Sequence, residues 1–250
     1  MKILFMIRYG EKEHLQNIVD GKIRFTPAQN YIELEKEQGL KGQGDKMEGK
    51  ITLPSGKGTI ISVNGKEQTL DNIEPILSLE DLDKMPIACF SAYGEDCTKD
   101  YINDGKYKIS LPKKYLDPIR NDFWKASHAL IILEPDRFIQ NVFNLEKHEI
   151  IGELVQYFEQ GQIVNKLMYL STGNPRDQGE GQYSISRDGK YRALLCKDSY
   201  FKNQCEYRFI CLDNLITSPE QYSFQFELQY MIVPIDNLDN LIQVYLEKSI

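Results

Sequence analysis

Three polar residues stand where the local pattern asks for apolar ones. Arg8 closes the run Lys2–Tyr9, in which Ile3, Phe5, Ile7 and Tyr9 share one face of an extended segment and Lys2, Leu4, Met6 and Arg8 the other. Glu206 and Arg208 interrupt Cys205–Leu212. There Cys205, Tyr207, Phe209 and Cys211 form one face, and Glu206, Arg208, Ile210 and Leu212 the other. A Glu and an Arg two residues apart on a strand project the same way, about 7 Å apart along it. Such a pair is either a solvated ion pair of small energetic consequence or the wall of a pocket where a carboxylate and a guanidinium face a ligand. The carboxylate could stabilise developing positive charge, and the guanidinium is a planar fork suited to phosphate oxygens.

Other familiar chemistries are absent from the sequence. His14, His128 and His148 are widely separated and have no i, i+4 partner, so no metal site is expected from them. There is no GxGxxG, Walker or GxSxG motif. Cys89, Cys97, Cys196, Cys205 and Cys211 are an odd set without a C-x-x-C pair, which reads as buried thiols in a reducing compartment.

The elements that must hold these residues alternate irregularly between strand and helix. Lys2–Tyr9 reads as a strand ended by Gly10, Glu11–Val19 as a short helix with Leu15, Ile18 and Val19 inward, and Ile23–Thr26 as a strand stopped by Pro27. Residues 38–78 read as a flexible Gly-rich loop and an inserted β-hairpin or small meander, with turns at Ser55–Gly56 and Asn64–Gly65. Pro86–Ser91 and Ala129–Leu133 read as buried strands, and Asp136 as the cap of a helix reaching Phe143. Ile150–Phe158, Lys166–Leu170 and Tyr222–Val233 read as further strands, 172–190 as a polar loop, and Leu238–Leu246 as a closing helix. Many strands with few helices and no βαβ rhythm give an α+β class in a single domain, 1–250.

A chain of 250 residues buries enough surface to fold without a metal or disulfide staple. Its charge of −7, with acids and bases interspersed, gives no basic stripe for nucleic acid. The N-terminal apolar run is too short for a signal peptide and no run approaches a membrane span, so a cytoplasmic protein with no membrane partner is expected.

Short pieces in a fixed order carry a resemblance. They are Arg8-Tyr9, Gly21-Lys22-Ile23-Arg24-Phe25-Thr26-Pro27, Gly44-Asp45-Lys46-Met47-Glu48-Gly49, the strand ACFSAY, Trp124 and the block CKDSYFKNQCEYRF. The set resembles a large family of uncharacterised bacterial proteins that is distantly similar to ADP-ribosyltransferases. The resemblance implies a domain of two small packed sheets with NAD, as substrate, bound in the cleft between them. Glu206 would be the late-strand catalytic Glu, and Arg8 would hold the ribose or a phosphate beside Tyr9. Phe25, Tyr31, Phe90 and Ser91 would line the nicotinamide pocket, and Arg208 would help neutralise the diphosphate. No metal is implied, and the setting would be a bacterial toxin or phage-defence system. Gln204 departs from the family's acidic position two residues before the Glu, which leaves the acceptor macromolecule open between transfer and plain NAD hydrolysis. The alternative expectation is a non-catalytic ligand- or partner-binding module in which Arg8 and Glu206 form a structural ion pair.

Overall fold

The computed structural model describes residues 2–39, 42–52, 59–63, 66–70, 76–79, 81–94, 98–102, 106–109, 111, 113–123, 125–145, 147–159, 187–238 and 244–247. In chain order the strands are β1 (Ile3–Gly10), β2 (Lys22–Pro27), β3 (Lys50–Thr52), β4 (Thr59–Val63), β5 (Lys66–Leu70), β6 (Ile76–Ser78), β7 (Pro86–Gly94), β8 (Thr98–Ile102) and β9 (Lys106–Ile109). They continue with β10 (His128–Ile132), β11 (Ile150–Leu154), β12 (Gln156–Phe158), β13 (Cys196–Asp198), β14 (Glu206–Cys211), β15 (Glu220–Ser223), β16 (Tyr230–Pro234) and β17 (Val244–Glu247). Helices α1 (Lys12–Val19), α2 (Ala28–Gln38), α3 (Lys113–Asp122) and α4 (Pro135–Phe143) are short.

The α+β class is borne out. In place of two separate small sheets there is one eight-stranded sheet, ordered β11-β14-β7-β1-β10-β16, with β2 joining β7 and β15. Its pairings are antiparallel, and its middle forks. One edge of β7 pairs along β14 from Ile87 to Ser91. The other edge pairs with β2 only at Pro86 and Ile87, and with β1 only from Ser91 to Gly94. Beyond Ile7, β1 stays with β10 and leaves β7, so the Ala88–Phe90 edge faces a gap.

Alternation packs the two faces differently. Ala88, Phe90, Leu130, Ile132, Tyr207 and Phe209 face a core closed by Phe138 and Val142 of α4 and by Leu15 and Ile18 of α1. The opposite face holds two further cores, one around Phe5, Ile7 and Tyr93, the other around Ile87, Leu194 and Ile210. β1 carries one departure from strict alternation. A register shift between Ile3 and Phe5 sends Ile3 to the first core instead of the face of Phe5 and Ile7.

Several expectations are corrected. The long strand over Tyr222–Val233 is two strands, because β15 pairs with β2 while β16 pairs with β10, and 224–229 joins them outside either strand. Ile150–Phe158 also divides, with β12 leaving the sheet to pair in parallel with β13. Val244–Glu247 is a strand on β9, so nonlocal pairing overrides the helical spacing of Leu238–Leu246. Pro135, not Asp136, opens α4, a position at which its missing N–H costs nothing. The expected hairpin is present as β4 on β5, and β3 pairs with β6 as a separate two-stranded ladder. Lys166–Leu170, Trp124, 172–186, 239–243 and the turns at Ser55–Gly56 and Asn64–Gly65 lie outside the described residues, and the end of the loop expected over 172–190 is a short helix, Arg187–Arg192. Among the described residues, no helix is long and apolar enough to cross a membrane.

Candidate functional site

The fork decides where Arg8 goes. A strand edge without a ladder partner leaves carbonyls to satisfy, and Arg8 Nη1 donates to the Cys89 carbonyl across the gap. Its guanidinium also sits 5.5 Å from the centre of the Phe90 ring. One row along, Ser91 is in register with both Ile7 and Glu206, which places Glu206 across β7 from β1 on a common face. A cavity of about 280 Å³ opens here, lined by Arg8, Tyr9, Tyr31, Phe90, Ser91 and Glu206, with Lys197 and Gln204 at its side. A larger cavity of about 700 Å³ shares Arg8, Tyr31 and Phe90 and extends along α1 and β2 to Lys22 and Arg24.

Behind the cavity lies a buried charge network. Arg208 is completely buried. Its Nε donates to Glu206 Oε1 at 2.5 Å, its two terminal nitrogens grip Glu48 at 2.5 and 2.8 Å, and Nη1 also donates to the Leu194 carbonyl. Lys197 Nζ donates to the other Glu206 oxygen at 2.7 Å and lies over the Phe201 ring. Burial alone would raise the Glu206 pKa, but the Arg208 and Lys197 charges override it and hold the carboxyl well below the usual carboxylate range. Burial works against the charge on Lys197 as well, yet Glu206 keeps its pKa raised. Glu206 is therefore a fixed anion whose backbone is also pinned, since its N–H donates to Tyr157 Oη at 2.8 Å and its carbonyl accepts from Val155 N–H.

The Gly-Asp-Lys-Met-Glu-Gly element supplies the far side of this network. Residues 42–49, expected as part of a flexible loop, are fastened at several points. Asp45 N–H donates to the Tyr31 carbonyl, Lys46 N–H to Glu35, and Glu48 closes on Arg208. Gly44 is required by contact, because a Cβ there would meet Glu35 N at 2.4 Å and Tyr31 O at 2.7 Å. Asp45 is almost fully buried. Burial first, and the neighbouring Glu48 charge second, push its pKa up to about 6.

Six of the eight residues expected at the site converge on the smaller cavity: Arg8, Tyr9, Tyr31, Phe90, Ser91 and Glu206. Phe25 does not. It is fully buried on the other side of β2 and stacks on Tyr222, because odd positions of β2 face the first core. Arg208 lies behind the cavity wall as an anchor for two carboxylates and does not line it. Glu206 is ion-paired with Arg208 and Lys197, and the expected Arg8–Glu206 pair does not form. Gln204 is a structural clamp, its amide donating to the Gly42 carbonyl at 2.7 Å and to Asp122 at 2.9 Å.

Lys197, Glu48 and Asp45 complete the buried charge around Glu206 and Arg208. Each lies in one of the segments Gly44–Gly49 and Cys196–Phe209, but nothing local marks a lysine or an acid as buried. The chain matches no protein-family model, no curated protein and no solved structure.

Proposed function

We propose that the forked cleft binds NAD and that Glu206 supports cleavage of its nicotinamide–ribose bond, in the manner of an ADP-ribosyltransferase-like enzyme or an NAD glycohydrolase. The observation that carries this reading is the convergence of Arg8 and Glu206 on one aromatic-walled cavity. In this chemistry the C1′–N bond breaks, nicotinamide leaves with the bonding electrons, and C1′ is left with oxocarbenium character. A carboxylate held ionised against the ribose hydroxyls stabilises that charge as it develops. Arg8 would meet a diphosphate oxygen, and Tyr9, Tyr31 and Phe90 would offer rings to the nicotinamide. Water or a macromolecular nucleophile would then complete the bond to C1′.

A second reading draws on one specific feature. Both Glu206 oxygens already accept from Arg208 and Lys197, as in a carboxylate that merely builds the wall of a binding pocket. Incubation with labelled NAD separates the two. Free nicotinamide, with or without label on protein, DNA or RNA, supports the enzyme. NAD binding without nicotinamide release assigns the cleft to a binding module. No binding at all removes the NAD reading. Arg8→Gln should suppress release with the fold intact, and it is a cleaner probe than Glu206→Gln, which also disturbs the buried network.

A further inference from the structure

At the far end of β14, on the face opposite Glu206, three ligating atoms converge. Cys211 ends the strand beside Phe209, fully buried, and its Sγ lies 3.0 Å from Asp213 Oδ1 and 3.8 Å from His148 Nδ1. His148 Nδ1 and Asp213 Oδ1 are 3.6 Å apart. Zinc bonds of about 2.3 Å to sulfur and about 2.0–2.2 Å to nitrogen and oxygen, at tetrahedral angles, set donor atoms about 3.2–3.7 Å apart. The three edges bracket that range, so a cation could enter with small side-chain movements.

The surroundings hold this triangle in place. His148 comes from the turn before β11, and Leu212 N–H, between Cys211 and Asp213, donates to the carbonyl of Glu149 at 2.8 Å. The two ligand-bearing segments are thereby locked together. The His148 ring lies flat on Tyr222, centroids 4.3 Å apart and planes 7° apart, and Tyr222 Oη accepts from Asn214 Nδ2 at 3.0 Å. Lys147, just before His148, has φ 81°, a left-handed backbone that a lysine adopts only when its surroundings impose it. One side stays accessible to solvent, since Asp213 is exposed and His148 only half-buried.

We propose that His148 Nδ1, Cys211 Sγ and Asp213 Oδ1 form a three-ligand site for a zinc-class divalent cation, its fourth position left for water or a small anion. A nitrogen, sulfur and carboxylate set suits zinc and cobalt and disfavours magnesium and calcium, which seek all-oxygen shells. Binding exchanges the Cys211 S–H bond for a metal–sulfur bond and releases that proton to solvent, while Asp213 binds as carboxylate and His148 as neutral imidazole. The site does not rest on the NAD reading.

The test is titration of the chelator-stripped full chain with Co2+. One equivalent should produce a thiolate-to-metal charge-transfer band that Zn2+ bleaches. His148→Ala and Asp213→Asn, both at partly exposed positions, should each weaken binding about tenfold or more. Cys211→Ser should abolish the band, whereas Cys89→Ser and Cys196→Ser should retain it. A natively folded protein with no saturable band overturns the proposal. So does a band whose affinity is unchanged in both His148→Ala and Asp213→Asn, an outcome that also decides the matter if Cys211→Ser fails to fold.

Discussion

The two faces of β14 are built from opposite materials. Phe209 meets the rings of Phe90, Phe138, Phe143 and its own strand neighbour Tyr207 edge-on, with centroids about 5–6 Å apart. Glu206 and Arg208 point the other way, into a pocket of charge that also contains Glu48, Asp45 and Lys197, all nearly or fully buried. The aromatic face is what stability alone would select. A buried ion network is often no more stable than a hydrophobic packing of the same volume, because desolvation offsets the attraction. Its place beside the cavity is what the proposed use of an ionised Glu206 requires.

The comparison can be broken most forcefully at its hinge. Arg208→Met should leave Glu206 and Glu48 buried without their main cation and lower stability by about 3–5 kcal/mol. Phe138→Ala on the other face should cost a similar amount through its cavity. The two separate by pH in denaturant titrations. The Arg208 variant should alter the pH dependence, regaining stability as falling pH neutralises the stranded carboxylates, and the Phe138 variant should keep the wild-type dependence.

Next in size is Asp45→Asn. Folding raises this carboxyl from 3.8 to about 6, so the folded state holds a proton that the unfolded state releases. Stability therefore falls as pH climbs through that window, by up to about 3 kcal/mol. The Asn variant should match wild type near the bottom of the window and exceed it above, as read from denaturation midpoints across the range.

Glu206→Gln should change the opposite limb. The folded pKa of Glu206 is depressed below its ordinary 4.5, so its contribution is fully present above that value and is lost as pH falls. Removing it should lower neutral-pH stability and flatten the acid side of the stability profile. The smallest expected change in stability is at Arg8, which is partly exposed and donates to one backbone carbonyl. Arg8→Gln should cost no more than about 1 kcal/mol, yet reduce NAD turnover about 100-fold or more. Equal turnover by this variant and wild type would detach Arg8 from the chemistry.

Much of this contrast was legible in the sequence because strand alternation has a period of two. Cys205–Leu212 displays its charged and aromatic sides without any fold in view, and Arg8 shows as the lone polar residue of the inner face of β1. What could not be read was burial. Glu206 with Arg208 looks the same whether water or Glu48 surrounds it, and Glu48 lies 160 residues away from Arg208 in the chain. The partners arrive through tertiary contacts, Glu48 by the close seat of Gly44 on α2 and Lys197 from β13 beside β12. The same limit explains Phe25, where a motif position suggested the pocket and the pleat of β2 turned it inward. It explains the C-terminus too, where Val244–Glu247 takes its strand form from β9 and not from its own spacing. His148, Cys211 and Asp213 share this origin, since histidines spaced too far apart for a local motif gave no sign of a site completed by a distant thiol and carboxylate.

The most direct test of the NAD reading is a crystal structure with a non-hydrolysable NAD analogue. The ribose hydroxyls next to nicotinamide should hydrogen-bond to the Glu206 carboxylate, the ring should lie among Tyr9, Tyr31 and Phe90, and a diphosphate oxygen should meet Arg8. A dinucleotide bound elsewhere, or a cleft left unoccupied at saturating analogue, would contradict it.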